Sequence, residues 1–137
     1  MALFPVTVSL RADQDTRLTN GQVDDNFSGL ANAVNALYGP IVTDATTART
    51  LALTDAYKYI RMTSASANAV TVPLNATVAF PIGTEVTIMQ AGAGQTSVAA
   101  TGGVTINAIG LSVSAQYRAV TLKKVATNEW DLIGALS

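Results

Sequence analysis

The side chains that most often carry out catalysis are missing from this sequence or stand far apart in it. The 137 residues include no histidine and no cysteine, which removes the commonest general base and metal ligand and all thiolate chemistry. Hydrolysis of a polysaccharide would need two carboxylates about 5–9 Å apart. In the later half of the chain only Glu85, Glu129 and Asp131 could supply them. We therefore expect no enzymatic activity, no cofactor and no catalytic or metal-binding residues.

Three short motifs contain suitable residue types for ligand binding but lack the required spacing. The glycine-rich segment GAGQTS at 92–97 has no lysine and is predicted to join strand to strand, so it does not fit a phosphate-binding loop. Asp13 and Asp15 lack the remaining ligands of a calcium loop. Asp24 and Asp25 are adjacent, so their side chains diverge by about 100° on a helix. Acids placed near a helix start, where the dipole favours negative charge, explain them better.

The chain is apolar and sparsely charged. Hydrophobic residues make up 49% of it, charged residues 12%, and the net charge is −1, so nothing indicates binding to nucleic acid, which favours a basic surface. No apolar run approaches the roughly 20 residues that span a bilayer. Between Arg61 and Arg118 the only charged residue is Glu85. This stretch forms either a polar, uncharged β surface or a surface that lies against other subunits, since interface cores are poor in charge.

A change of hydrophobic period at Gly39-Pro40 divides the chain. Residues 19–39 are predicted to form an amphipathic helix, opened by a capping box between Thr19 and Gln22. Five apolar residues recur on one side of it with spacings of four and three: Val23, Phe27, Leu30, Val34 and Leu37. This stripe either forms the oligomer interface of a short trimeric bundle or packs on the chain's own β domain.

Residues 1–18 are predicted to form an extended arm before the helix. Its apolar residues partly alternate with polar ones, as in a strand. The arm either adds a first strand to the chain's own sheet or pairs with a neighbouring subunit or another docking surface, as an unpaired strand edge does readily. The residues expected to make the docking contacts are Leu3, Phe4, Val6 and Val8.

Beyond a linker at 40–50, residues 51–137 show short alternating runs separated by glycine turns about ten residues apart. Ile60 and Met62 are typical of these runs, and Trp130 is expected in the core. This spacing is typical of an all-β domain. The predicted fold is mainly β, with an N-terminal extended arm and one α-helix followed by an antiparallel β-sandwich or small barrel.

Several residue runs in this β region resemble a β module of tailed-bacteriophage virion proteins. They follow one another in order and with similar spacing, at 50–62, 70–75, 78–84, 88–96, 103–107, 120–125 and 128–134. Residues 18–30 also resemble a helical opening in phage fibre and appendage proteins, which are commonly trimeric.

The resemblance implies a structural virion protein on the particle surface, assembled in the cytoplasm of the bacterial host. The fibre proteins that share this module usually carry a long shaft, whereas this sequence holds only an arm, a helix and the module. That difference favours a trimeric capsid decoration (cement) protein, whose partners are copies of itself and the major capsid protein or other virion proteins. The alternative is a tail-fibre or baseplate appendage, or a receptor-binding knob. Neither implies a nucleic acid or membrane partner.

Overall fold

The computed structural model describes residues 19–37 and 41–137, and the chain divides into two compact units, 1–39 and 40–137. The described part of the first unit, residues 19–37, contains one α-helix, and the second unit contains the described strands. The prediction of a mainly β protein with one helix is confirmed. The predicted docking residues Leu3, Phe4, Val6 and Val8 lie outside the described residues.

Helix α1 spans Asn20–Leu37 and begins with the predicted capping box. The Thr19 hydroxyl accepts a hydrogen bond from the Gln22 backbone N–H at 3.2 Å, and the Gln22 side-chain oxygen accepts one from the Thr19 N–H at 2.9 Å. These bonds satisfy donors that the start of a helix otherwise leaves free. The first turn itself contains no acidic residue, because Asp24 and Asp25 lie just beyond it.

The second unit contains nine strands and a short 3₁₀ helix at Leu53–Asp55. The strands are β1 Val42–Asp44, β2 Ala48–Thr50, β3 Tyr59–Met62, β4 Asn68–Val72, β5 Glu85–Gln90, β6 Thr96–Ala100, β7 Thr105–Asn107, β8 Ala119–Ala126 and β9 Glu129–Gly134.

These strands form two sheets between which the chain alternates. The larger sheet has six strands in the order β1-β3-β5-β8-β9-β7, and the smaller sheet has three in the order β2-β4-β6. Strands β1, β3 and β5 are mutually parallel, as are β2, β4 and β6. The first six strands therefore make three stacked coils, as in a short parallel β-helix. Each coil contributes one strand to the larger sheet and one strand to the smaller sheet. Strands β8 and β9 then extend the larger sheet in antiparallel pairing.

The prediction of an antiparallel fold is wrong for most of these pairs. Five of the seven strand pairs are parallel, and only β5–β8 and β8–β9 are antiparallel. Alternation of apolar and polar residues reports which face of a strand is buried and not the direction of its neighbour. Short turns suggested hairpins, and β8 and β9 do form one. From β1 to β7, however, each connection leads to the other sheet, and the intervening strand serves as the crossover that parallel pairing requires.

The core lies between the two sheets and consists of aligned rows of side chains. Ile60, Ile88 and Val120 are in register across three strands of the larger sheet, and Val70 and Val98 are in register in the smaller sheet. All five are buried. Each coil thus places a branched apolar side chain directly against that of the next coil, where parallel strands pack such side chains well.

The glycines at 92–97 belong to a turn that stacks on the turn of the previous coil. The N–H groups of Gly92 and Gly94 donate to the carbonyls of Met62 and Ser64 at 2.9 and 3.1 Å. A Cβ on Gly94 would lie 1.9 Å from the carbonyl oxygen of Ser66, closer than any real contact. The glycines are there because two turns meet backbone to backbone, and the N–H groups that could have bound a phosphate are occupied.

Candidate assembly interface

The carboxylates that could have formed a catalytic pair are each held by other polar groups. Glu85 accepts a hydrogen bond from the Lys123 ammonium at 2.8 Å on the exposed surface. Glu129 and Asp131 both accept from the side-chain amide of Asn107, each at 2.9 Å. Across residues 19–37 and 41–137 there is no group of three or more potential metal ligands.

The first coil carries an ion-pair cluster of Arg49, Asp44 and Asp55. Arg49 lies in register with the buried Val70 of the next coil. Its guanidinium Nη1 contacts Asp44 Oδ2 at 2.8 Å and its Nη2 contacts Asp55 Oδ1 at 2.6 Å. Asp55 also accepts from the Ala52 backbone N–H at 2.9 Å, which ties the 3₁₀ turn to this cluster. One guanidinium thus binds two carboxylates at the first-coil position of the row that Val70 and Val98 continue.

The electrostatics of this cluster favour its charged form. The pKa of Asp44 is lowered from its usual value of 3.8, mainly by the hydrogen bond from the Thr46 hydroxyl and further by Arg49, although burial opposes the change. Burial alone would lower the pKa of Arg49, but the hydrogen bonds to Asp44 and Asp55 outweigh it and the pKa is raised. The cluster is therefore a structural element whose contribution depends on the ionisation of Asp44.

Lys124 is a second buried charge, at an inward position of β8. Its ammonium donates to the side-chain oxygen of Asn75 and to the Phe80 carbonyl at 2.8 Å, and it lies 5.8 Å from the centre of the Trp130 ring. Trp130 is buried and packs edge-on against Phe80 with ring centres 5.4 Å apart, which confirms its predicted place in the core. Burial lowers the pKa of Lys124. Since its donors face acceptors within the domain, we assign it a structural role.

The residues predicted to form an oligomer interface lie on one exposed face of α1. Val23, Phe27, Leu30 and Val34 are between 36% and 68% exposed, and their spacing returns each to nearly the same angle around the helix. The fifth residue, Leu37, ends the helix, and its side chain lies outside the described part of the structure. None of the helical residues described makes a span long and apolar enough to cross a membrane.

The outer face of the smaller sheet carries small, uncharged side chains. Its outward positions form two rows that run across β2, β4 and β6 in register. The rows consist only of small side chains: Ala48, Ala69 and Ser97 in one, and Thr50, Thr71 and Ala99 in the other. The charge-poor stretch noted in the sequence therefore includes most of this face.

A second apolar surface was missed by the sequence analysis. Ile109, in the turn after β7, is 93% exposed, and Ile133, at an outward position of β9, is 61% exposed. Together with Leu136 they line an open groove of about 410 Å³, and Asn107 and Asp131 lie at its polar side. The available signal was an isoleucine at an outward strand position and another inside a turn. Alternation identifies the inward residues of a strand, so it gave no reason to single out either isoleucine.

Comparison with family models, with curated proteins and with solved structures finds no match to this chain.

Proposed function

We propose that this protein is a structural component of a tailed-bacteriophage virion that assembles as a homotrimer through α1, most consistent with a capsid decoration protein. The observation that carries the proposal is the exposed apolar stripe of Val23, Phe27, Leu30 and Val34. A stripe of this kind has its apolar surface in water until another helix covers it.

The energetics of α1 favour association with other copies. An isolated helix of 18 residues is marginal in water, and Gly21 and Gly29 each weaken it by up to about 1 kcal/mol relative to alanine. Full burial of each large apolar side chain contributes roughly 1.5–3 kcal/mol. Four such side chains per copy, buried against the same face of two other copies, offset the cost of helix formation and of association.

The uncharged outer face of the smaller sheet supports a place in a larger assembly. Its two rows of alanine, serine and threonine offer little charge to desolvate, so a shell surface can cover them at low cost. The resemblance of the β region to virion modules supports the same class of protein. A decoration protein that binds only the assembled shell stabilises the shell by mass action.

Imaging of intact virions with the protein labelled tests this proposal. We expect label on the head surface at positions of three-fold or quasi-three-fold symmetry. Label confined to the tail would favour the fibre or appendage alternative, and unlabelled particles would contradict both.

A variant lacking residues 1–17 provides the matched comparison. It should fold but fail to coat particles if the arm provides the anchor, and full coating by this variant would exclude that role.

A further inference from the structure

The groove beside β9 lies where one strand of the larger sheet stops. Strand β7 pairs with β9 only over three residues, and the last pair is Asn107 with Asp131. The chain then leaves the sheet at Ala108, whereas β9 continues to Gly134. Among the described residues no strand pairs with Leu132–Gly134 on the β7 side. An unpaired strand edge of this kind readily accepts an added strand.

The side chains around this edge are unusually apolar for a surface. Ile109 and Ile133 are both exposed and Leu136 lines the same groove. Exposed apolar patches that follow an open strand edge mark sites of protein interaction. A strand added here would bury its own apolar side chains against these isoleucines.

The groove also has an acidic rim. The amide of Asn107 holds the carboxylates of Glu129 and Asp131 side by side, at 2.9 Å from each. The ion pairs found among the described residues involve neither of these carboxylates. An arginine on an incoming segment would therefore find two acceptors already positioned.

We propose that the groove receives the N-terminal arm of a second copy of this chain, which adds to the free edge of β9 as a strand. The arm has the required pattern, since Val6, Val8 and Leu10 alternate with polar residues and Arg11 follows directly. Alternation directs Val6, Val8 and Leu10 to Ile109 and Ile133. Arg11 is the first residue after the alternating run, so strand alternation does not fix its side, and its charge complements the acidic rim. The inference rests on the proposed function, because an assembly of copies supplies neighbouring arms at high effective concentration.

Disulfide trapping tests this docking directly because the chain contains no cysteine. Full-length protein carrying Val8→Cys is mixed with full-length protein carrying Ile133→Cys under mild oxidation, and covalent dimers are followed on a non-reducing gel. Ile82→Cys is the matched control, since Ile82 is 67% exposed and Ile133 is 61% exposed. We expect dimers with Ile133→Cys to form at least about tenfold faster than with Ile82→Cys, because docking raises the local concentration. Equal rates, or no dimer, would overturn the proposal.

A charge exchange tests the recognition of the arm. Asp131→Arg should slow the trapping at least about tenfold, a change equivalent to about 1.4 kcal/mol, and Arg11→Asp in the partner chain should restore most of the rate. Slowing without restoration, or no slowing, contradicts the role of the acidic rim. A single chain carrying both cysteines should form covalent oligomers, and a product that is only an internally crosslinked monomer would exclude docking between copies.

Sedimentation of the untrapped protein separates the two proposals. A trimer that gives no trapping above the Ile82→Cys control would refute arm docking while the assembly through α1 stands. Monomeric protein that gives no trapping would refute both.

Discussion

The buried charged side chains of the β unit bind acceptors that come from other segments of the chain. Arg49 and Lys124 are the clearest cases, because each occupies an inward strand position and is surrounded by acceptors from other segments. Because successive side chains of a strand alternate, the sequence predicts that Lys123 and Lys124 point to opposite faces of β8. It could not show that Lys124 is buried, because its acceptors Asn75 and Phe80 come from a distant loop.

The Asp44 carboxylate should make stability depend on acid pH. The pKa of Asp44 in the folded protein lies below its usual value of 3.8. Between these two pKa values the unfolded state binds more protons than the folded state, so the stabilisation from ionised Asp44 is lost as pH falls through the folded-state pKa. At neutral pH, Asp44→Asn should lower the free energy of unfolding by about 1–3 kcal/mol, and the difference from the native chain should shrink towards pH 2. Urea unfolding at several pH values measures this. If the difference in free energy of unfolding between the native chain and Asp44→Asn were the same at all pH values, ionised Asp44 would not be its source.

Tyr117 adopts a backbone conformation that favours glycine. Its φ angle is 63° and its ring is exposed, while its N–H donates to the Gln90 carbonyl at 2.7 Å. Tyr117→Gly keeps that hydrogen bond and removes the strain, so the free energy of unfolding should rise by about 0.5–1 kcal/mol. Tyr59→Gly, in the extended strand β3, is the control and should lower it by up to about 1 kcal/mol. Thermal unfolding of both variants measures these two changes in the free energy of unfolding. Destabilisation of equal size in the two would show that φ at 117 carries no strain.

At the level of elements, the helix was predictable and the strand pairing was not. The capping box between Thr19 and Gln22 and the spacing of the apolar stripe depend on neighbours within a few residues, so the sequence displays them directly. Pairing of β3 with β5 depends on residues far apart in the chain. Both an antiparallel hairpin and stacked coils satisfy the same alternation, and only the contact between successive turns distinguishes them.

The contact between stacked turns can be tested through glycine. Gly94→Ala would place a Cβ 1.9 Å from the Ser66 carbonyl oxygen, so the two turns must separate and the hydrogen bond from Gly94 to Ser64 must lengthen. We expect a loss of more than about 2 kcal/mol in the free energy of unfolding. In the control Gly102→Ala the Cβ meets no atom within 4 Å, and the change should stay within about 0.5 kcal/mol. Equal effects in denaturant titrations would contradict the stacked-turn description.

At the scale of the whole molecule, the β unit and the helical unit each present uncharged or apolar surface. The sequence located the helical stripe but missed the groove at Ile109 and Ile133, because an exposed apolar residue carries no periodic signal of its own. The low charge between Arg61 and Arg118 indicated either a polar, uncharged β surface or a surface covered by other subunits. Most of the outer face of the smaller sheet belongs to this charge-poor stretch.

Analytical ultracentrifugation of the full chain tests the central claim that other copies cover the stripe on α1. One chain has a mass of 14.1 kDa. We expect the native chain to sediment as a trimer, with three times this mass, at micromolar concentration. Asn32→Asp, which adds a charge on the opposite face of the helix, should sediment as the same trimer. Leu30→Asp adds the same charge within the stripe and should sediment as a single chain. A native protein that sediments at 14.1 kDa under these conditions would contradict the account.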